Sequence, residues 1–352
     1  MASHTRKTSA FINSLRIIMP IIAIVCLILF VPWLAGCAYL SPLPDTVQEQ
    51  VDKAVNYDLD GVIVYVDKKG QAPQFYSAGW KNRENKIPAD PHALFKIASI
   101  SKLYIAAAAA KLVSSKSLAL DKTLADYLPE LKGRIQNADK ITLKMMLQHR
   151  SGIPNYIDDP KFPWANLPRD VDGLLKYGLD KPADFNPDSR YKYSNTNYLL
   201  IGMILDKVLG YSHHQYIKNE ILDPLKLTHT FSLLSEVDLK DVVSGYFIGY
   251  VPDLKTANHI GAGGSMIATA QDVGIFLRAL NDGSLLNKEE QKIYSSIYVY
   301  EHTGLLPGYS SIARYHKDID TVVIQFVNTS GGNSWMITEI IYNRIIRILH
   351  QH

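Results

Sequence analysis

The chain has 352 residues, of which 47% are hydrophobic and 20% charged, a balance that supports a packed core and excludes global disorder. Its net charge of +3 comes from 37 basic and 34 acidic residues. Arg6, Lys7 and Arg16 are the only charged residues among the first 36, so the remainder carries 34 of each sign and offers no electrostatic footprint for nucleic acid.

From Arg16 to Asp45 there is no charge, and Ile17 to Trp33 form a 17-residue apolar run behind a basic flank. This pattern reads as a targeting segment, with a plain membrane anchor as the alternative because the run approaches spanning length. The run ends in Leu34-Ala35-Gly36-Cys37, which resembles the lipobox of bacterial lipoproteins. That resemblance implies a signal peptide over 1–36, a diacylglyceryl group on Cys37 and a short tether over 37–44. It also implies a membrane-anchored lipoprotein facing the periplasm or the cell exterior. Ala38 lacks the Asp that often holds such proteins at an inner membrane, which points to the outer membrane in a Gram-negative cell. Cys26 lies inside the apolar run and would leave with it, so no disulfide framework and no Cys metal site is expected in the body.

The body opens with two runs rich in β-branched and aromatic residues, Val62 to Val66 and Gln74 to Trp80, separated by Lys69-Gly70-Gln71-Ala72-Pro73, which predicts a hairpin. Residues 99–116, 120–128, 139–149, 170–178, 194–210 and 213–223 are helical in pattern. Strand-like runs return at Ile297 to Glu301, Tyr309 to Tyr315 and Thr321 to Val327, before a helix over Trp335 to Leu349 whose Ile337, Ile340, Ile341, Ile345 and Ile348 share a face. The simplest arrangement is an α+β fold: an antiparallel sheet built from 45–110 and 255–352 with covering helices, and a mainly helical region, 111–254, inserted between.

Ser99 and Lys102 open the longest helical pattern, one turn apart on one face, so the amine reaches the hydroxyl and the serine sits at a helix N-terminus that favours a developing alkoxide. The spacing alone is weak, since Ser189 and Lys192 repeat it; only the first is followed by a long apolar helix. Tyr193-Ser194-Asn195 precedes a second apolar helix, and His302-Thr303-Gly304 ends a predicted strand.

Together these three elements resemble the signatures of the serine β-lactamase and penicillin-binding-protein superfamily, in its class C β-lactamase and esterase branch. Supporting segments occur in the same order: Phe95-Lys96-Ile97-Ala98, His149-Arg150-Ser151-Gly152-Ile153-Pro154, Asn186-Pro187, Pro224-Leu225, Gly263-Gly264 and Pro307-Gly308-Tyr309. The resemblance spans about residues 60 to 348. It implies a β-lactamase/DD-peptidase-like fold and a covalent acyl-transfer site needing no cofactor. Ser99 would be the nucleophile, Lys102 the group that helps remove its proton and Tyr193 a second proton carrier, with the base in acylation left open between the last two. Asn195, His302, Thr303, Gly304 and Leu305 would contact substrate, the backbone N–H groups of Ser99 and Leu305 forming the oxyanion hole.

Two departures bear on substrate. His302 stands where β-lactamases have Lys, and bulky Leu305-Leu306 follow the Gly. The expected activity is therefore hydrolysis of small esters or of D-amino-acid-containing amides and peptides, including peptidoglycan-type substrates. A true β-lactamase, or an inactive cell-wall-binding or sensor protein on the same scaffold, is the alternative. His213-His214 lacks a third ligand at metal spacing and reads as a solvated helix start, so no metal is expected.

Overall fold

The computed structural model describes residues 15–27 and 31–351, which fall into two compact units, up to Pro42 and from Leu43 onward. In the first unit, residues 15–27 and Trp33–Leu40 are helical, and Cys26 and Cys37 are exposed. The basic Arg6 and Lys7 and part of the apolar run lie outside the described residues. Among the described residues no helix is long and apolar enough to cross a membrane.

The second unit is built on a six-stranded antiparallel sheet in the order β3-β2-β1-β10-β9-β8. Its strands are β1 (Gly61–Lys68), β2 (Gln74–Asn82), β3 (Ile87–Pro88), β8 (His302–Leu306), β9 (Tyr309–His316) and β10 (Thr321–Val327). Between them in sequence come four two-residue strands: β4 (Phe95–Lys96), β5 (Thr230–Phe231), β6 (Tyr246–Phe247) and β7 (Ile267–Ala268). The chain ends pair as expected, β1 lying against β10 with Val64 opposite Gln325 and Tyr65 opposite Ile324.

Every residue of β10 and the first six of β1 are buried, so the sheet is covered on both faces. Alternation along the strands assigns each cover. The Tyr65 ring lies against Gly274 of α4 (Ala270–Asp282), where a Cβ would sit 2.2 Å from it. Gln325, on the opposite face, donates to the Thr338 carbonyl of α6 (Ser334–Leu349). The α6 helix packs with α1 (Val47–Ala54), which Thr46 and Glu49 open with a reciprocal capping box.

Between the two groups of strands in sequence lie the buried helices α2 (Ser101–Ser114) and α3 (Asn195–Leu209). Ala106 to Ala110 are all fully buried, as a helix enclosed on every side requires, and small side chains let its neighbours approach. Gly210, in the left-handed region, terminates α3.

The structure corrects the reading of several segments. Ile297 to Glu301 is not a strand: Asn287 caps α5 (Lys288–Ile297), which buries Tyr294 and Ile297, and the strand begins only at His302. His302-Thr303-Gly304 therefore opens β8 instead of ending a strand. Three predicted helices shrink to Leu124–Tyr127, Leu143–Leu147 and Val171–Leu175, each starting just after a capping Thr123, Thr142 or Asp170, whereas the helix expected over 213–223 forms as His213–Ile217 behind the capping Ser212 and continues as a π-helix over Lys218–Leu222. His213 is buried and its Nδ1 lies 2.7 Å from Asp206, which makes it a packed residue and not a solvated one.

Candidate active site

Ser99 lies in a 3-10 turn, Ala98–Ile100, that runs directly into α2. Ala98 is held at φ 52°, a left-handed conformation unusual for a residue with a Cβ and tolerated where surrounding structure imposes it. The restraint is visible: the Ser101 hydroxyl donates to the Ala98 carbonyl at 2.6 Å and accepts from the Met266 N–H at 3.2 Å. β8 closes on the same turn. A Cβ on Gly304 would sit 2.4 Å from the Ile97 carbonyl oxygen and 2.3 Å from Ser311 Oγ, so only glycine permits this approach.

Lys102 follows one turn later and is fully buried. Its Nζ lies 3.1 Å from Ser99 Oγ, 2.9 Å from Asn195 Oδ1 and 2.7 Å from the Gly263 carbonyl, three acceptors for three possible donors. None of them is a carboxylate. Burial without a counter-charge lowers the Lys102 pKa from 10.5 to about 7. The Tyr193 hydroxyl donates to Ser99 Oγ at 2.8 Å, and burial raises its pKa, so the phenol stays protonated. The amine is thus the group poised to accept a proton near neutrality, and the phenol the group poised to give one.

Asn195 opens α3. Asn155 Oδ1 accepts from its backbone N–H at 3.0 Å and from its side-chain amide at 3.3 Å, which turns the Asn195 carbonyl oxygen toward Lys102. His302 is half-buried on β8, with both ring nitrogens occupied: Nε2 lies 2.8 Å from the Tyr298 hydroxyl and Nδ1 bonds the Thr303 carbonyl. Burial, then the nearby Lys102 charge, push its pKa down to about 4, so it presents a neutral imidazole. Thr303 pairs with Ile312 of β9, and Leu305 with Ser310.

A cavity opens beside Ser99 and Asn195, with Leu305 and Leu306 on one side and Tyr156, Phe162 and Trp164 on another. Phe162 and Trp164 meet edge to face at 4.9 Å, and an ion pair between Lys181 and Asp159 ties their segment to the body. The wall formed by Asn258 to Gly261 is held by the buried Lys96, whose amine donates to the Leu254 and Ala257 carbonyls at 3.0 and 2.7 Å.

Ser99, Lys102, Tyr193 and Asn195 are therefore brought together, with His302 to Leu305 along the adjoining strand. The second Ser-x-x-Lys is not part of this site: Ser189 and Lys192 are exposed, and Lys192 pairs with Asp184. Sequence reasoning missed Asn155 and Tyr298 as site residues and quoted Lys96 only as part of the segment before Ser99. Asn155 directly follows the quoted Gly152-Ile153-Pro154, whereas Tyr298 and Lys96 reach the site only through the fold. Among the described residues there is no cluster of metal-ligating side chains.

The solved D-amino acid amidase from Ochrobactrum anthropi SV3, in complex with L-phenylalanine amide, superposes with a TM-score of 0.76 at 22% identity, covering 88% of this chain and 99% of that one. It shows the fold. Putative penicillin-binding protein PbpX of Bacillus subtilis (strain 168) is 28% identical over 294 residues, 78% of this chain and 71% of that protein. Protein flp of Staphylococcus aureus (strain N315) is 30% identical over 196 residues, 53% of this chain, and the matched stretch spans only 39% of that relative's length. The Beta-lactamase family profile matches residues 43–296, and the chain belongs to that family.

Proposed function

We propose that the protein hydrolyses small esters or D-amino-acid-containing amides through an acyl-enzyme on Ser99. The observation that carries this reading is the position of Ser99 Oγ, 3.1 Å from a buried lysine amine and 2.8 Å from a protonated phenol, at the edge of an apolar cavity. Neutral Lys102 takes the hydroxyl proton as Oγ bonds to the substrate carbonyl carbon. The tetrahedral oxyanion is met by the backbone N–H groups of Ser99 and Leu305. Tyr193 gives its proton to the departing alkoxide or amine, and the Lys102 ammonium restores it. Water then adds to the acyl carbon with the same groups acting in reverse, which frees Ser99.

The neutral His302 supports an uncharged acyl group over a β-lactam, whose carboxylate needs a cation beside the oxyanion strand. Leu305, Leu306 and the aromatic wall favour an apolar substituent. The D-amino acid amidase relationship is in keeping with this substrate class. The N-terminus is assigned as a lipid anchor through Cys37, holding the hydrolase outside the cytoplasm, on the strength of Leu34-Ala35-Gly36-Cys37 behind an apolar run.

The test incubates the body from Ser41 onward with fluorophosphonate and fluorescent penicillin probes and locates the label by mass spectrometry. Label on Ser99, lost in Ser99→Ala, is expected; label on Ser189 that survives Ser99→Ala overturns the assignment. For the anchor, palmitate incorporation is expected in the full chain and absent in Cys37→Ser, and equal incorporation in both refutes it.

A further inference from the structure

We propose that His149 is a positioning residue for Tyr193, holding the backbone N–H on each side of that tyrosine and lying against its ring, so that the phenol stays on Ser99. The inference rests on the hydrolytic reading above.

Tyr193 lies on a stretch, 182–194, without regular secondary structure. Its hydroxyl is at the end of a long side chain, so a small backbone rotation displaces it by more than a hydrogen bond tolerates. The fixing comes from one residue. The His149 carbonyl accepts the Lys192 N–H at 3.0 Å, and His149 Nδ1 accepts the Ser194 N–H at 3.2 Å. The imidazole and phenol rings lie 4.4 Å apart, 31° from parallel. Ser151 and Asn197 reinforce the contact: the Ser151 hydroxyl donates to Asn197 Oδ1 at 2.6 Å, and Asn197 Nδ2 lies 3.4 Å from His149 Nδ1.

His149 bears costs that its role accounts for. It is buried at φ 55°, and because Nδ1 accepts, its ring proton sits on Nε2, which is buried without a hydrogen-bond partner. Burial and the charges of Lys102 and His302 push its pKa down to about 3, so Nδ1 remains an acceptor at working pH. The loop behind Tyr193 is docked independently, through the Asp188 N–H to the Arg150 carbonyl at 2.8 Å and the Asp184 N–H to the Gly152 carbonyl at 2.9 Å. Removing the imidazole therefore loosens Tyr193 and leaves the loop in place.

The experiment measures kcat and KM for p-nitrophenyl butyrate in His149→Ala and His149→Asn, each in the wild-type and Tyr193→Phe backgrounds, with thermal denaturation to confirm folding. Asparagine places Oδ1 where Nδ1 stood and tolerates positive φ. His149→Ala is expected to lower kcat by about tenfold or more with KM changed less than about twofold, and His149→Asn to restore most of the loss. In the Tyr193→Phe background neither substitution should slow the enzyme further, because the group being positioned is already gone. A loss of equal size in both backgrounds, or a folded His149→Asn protein as slow as His149→Ala, overturns the proposal. If His149→Ala does not fold, kcat of the Asn protein within about threefold of wild type supports the proposal and a loss of about tenfold overturns it. Full activity in His149→Ala refutes this inference alone, whereas a wild-type protein without turnover or Ser99 label refutes the hydrolytic reading with it.

Discussion

Replacing Lys102 with Met should change how stability depends on pH, by an amount that follows from the burial of the amine. Its pKa falls from 10.5 to about 7 on folding because the ammonium is desolvated with no carboxylate beside it. Between those values the unfolded chain binds a proton that the native protein does not, so the stability of the wild-type protein rises with pH through that window. The penalty is fully present below pH 7 and gone above 10.5. At 1.4 kcal/mol per decade it amounts to about 4 kcal/mol at pH 7 and about 1.5 kcal/mol at pH 9.5, a difference of about 3 kcal/mol. Lys102→Met fills nearly the same volume and has nothing to protonate. Unfolding in urea at pH 7 and pH 9.5 should therefore show a gain for the wild type about 3 kcal/mol larger than for Lys102→Met. The other titrating groups, Lys96 and the buried tyrosines among them, contribute alike to both proteins and cancel in the comparison. Part of the advantage of Lys102→Met at pH 7 is offset by the unpaired Gly263 carbonyl and Asn195 Oδ1. Equal pH slopes in the two proteins would refute the reasoning, since they would mean that Lys102 titrates like a solvated lysine.

The same deprotonation should make kcat/KM rise with pH around a midpoint of about 7, unchanged in His302→Asn; a rise complete by pH 5 would remove Lys102 as the base. Tyr193→Phe should lower kcat by about 10²–10⁴-fold while fluorophosphonate still labels Ser99, measured by steady-state kinetics and probe gel. His302→Lys should raise kcat/KM for a chromogenic cephalosporin by about ten- to a hundredfold over the wild type, by supplying the missing carboxylate anchor; no gain would dissociate substrate choice from this position. Gly304→Ala should cost about 1–3 kcal/mol or more and abolish turnover, because its Cβ meets the Ile97 carbonyl and Ser311 at less than contact distance, read by urea unfolding and esterase assay.

Much of the site was legible from residue order. The Ser99 to Lys102 spacing needs only the helical repeat, and the long apolar pattern behind it marked the helix that holds the pair rigidly, which is why the competing Ser189 to Lys192 match was set aside. The hairpin at Val62 to Trp80 and the closing strands at Tyr309 to Val327 were visible because their alternation and turn residues are local properties. Local composition misled at Ile297 to Glu301, where Ile297, buried like Tyr294, ends the helix that Asn287 caps, and the residues from Tyr298 to Glu301 form no strand. What only the tertiary structure decided are the contacts between residues far apart in the chain. The Gly263 carbonyl on Lys102, Asn155 turning the amide of Asn195, Tyr298 occupying His302 and His149 bracketing Tyr193 join segments that no sequence period relates. The pKa of Lys102 belongs with them: an amine in a sequence is a strong base, and it becomes a weak one here because the fold removes water from it and supplies carbonyl and amide oxygens in place of an anion.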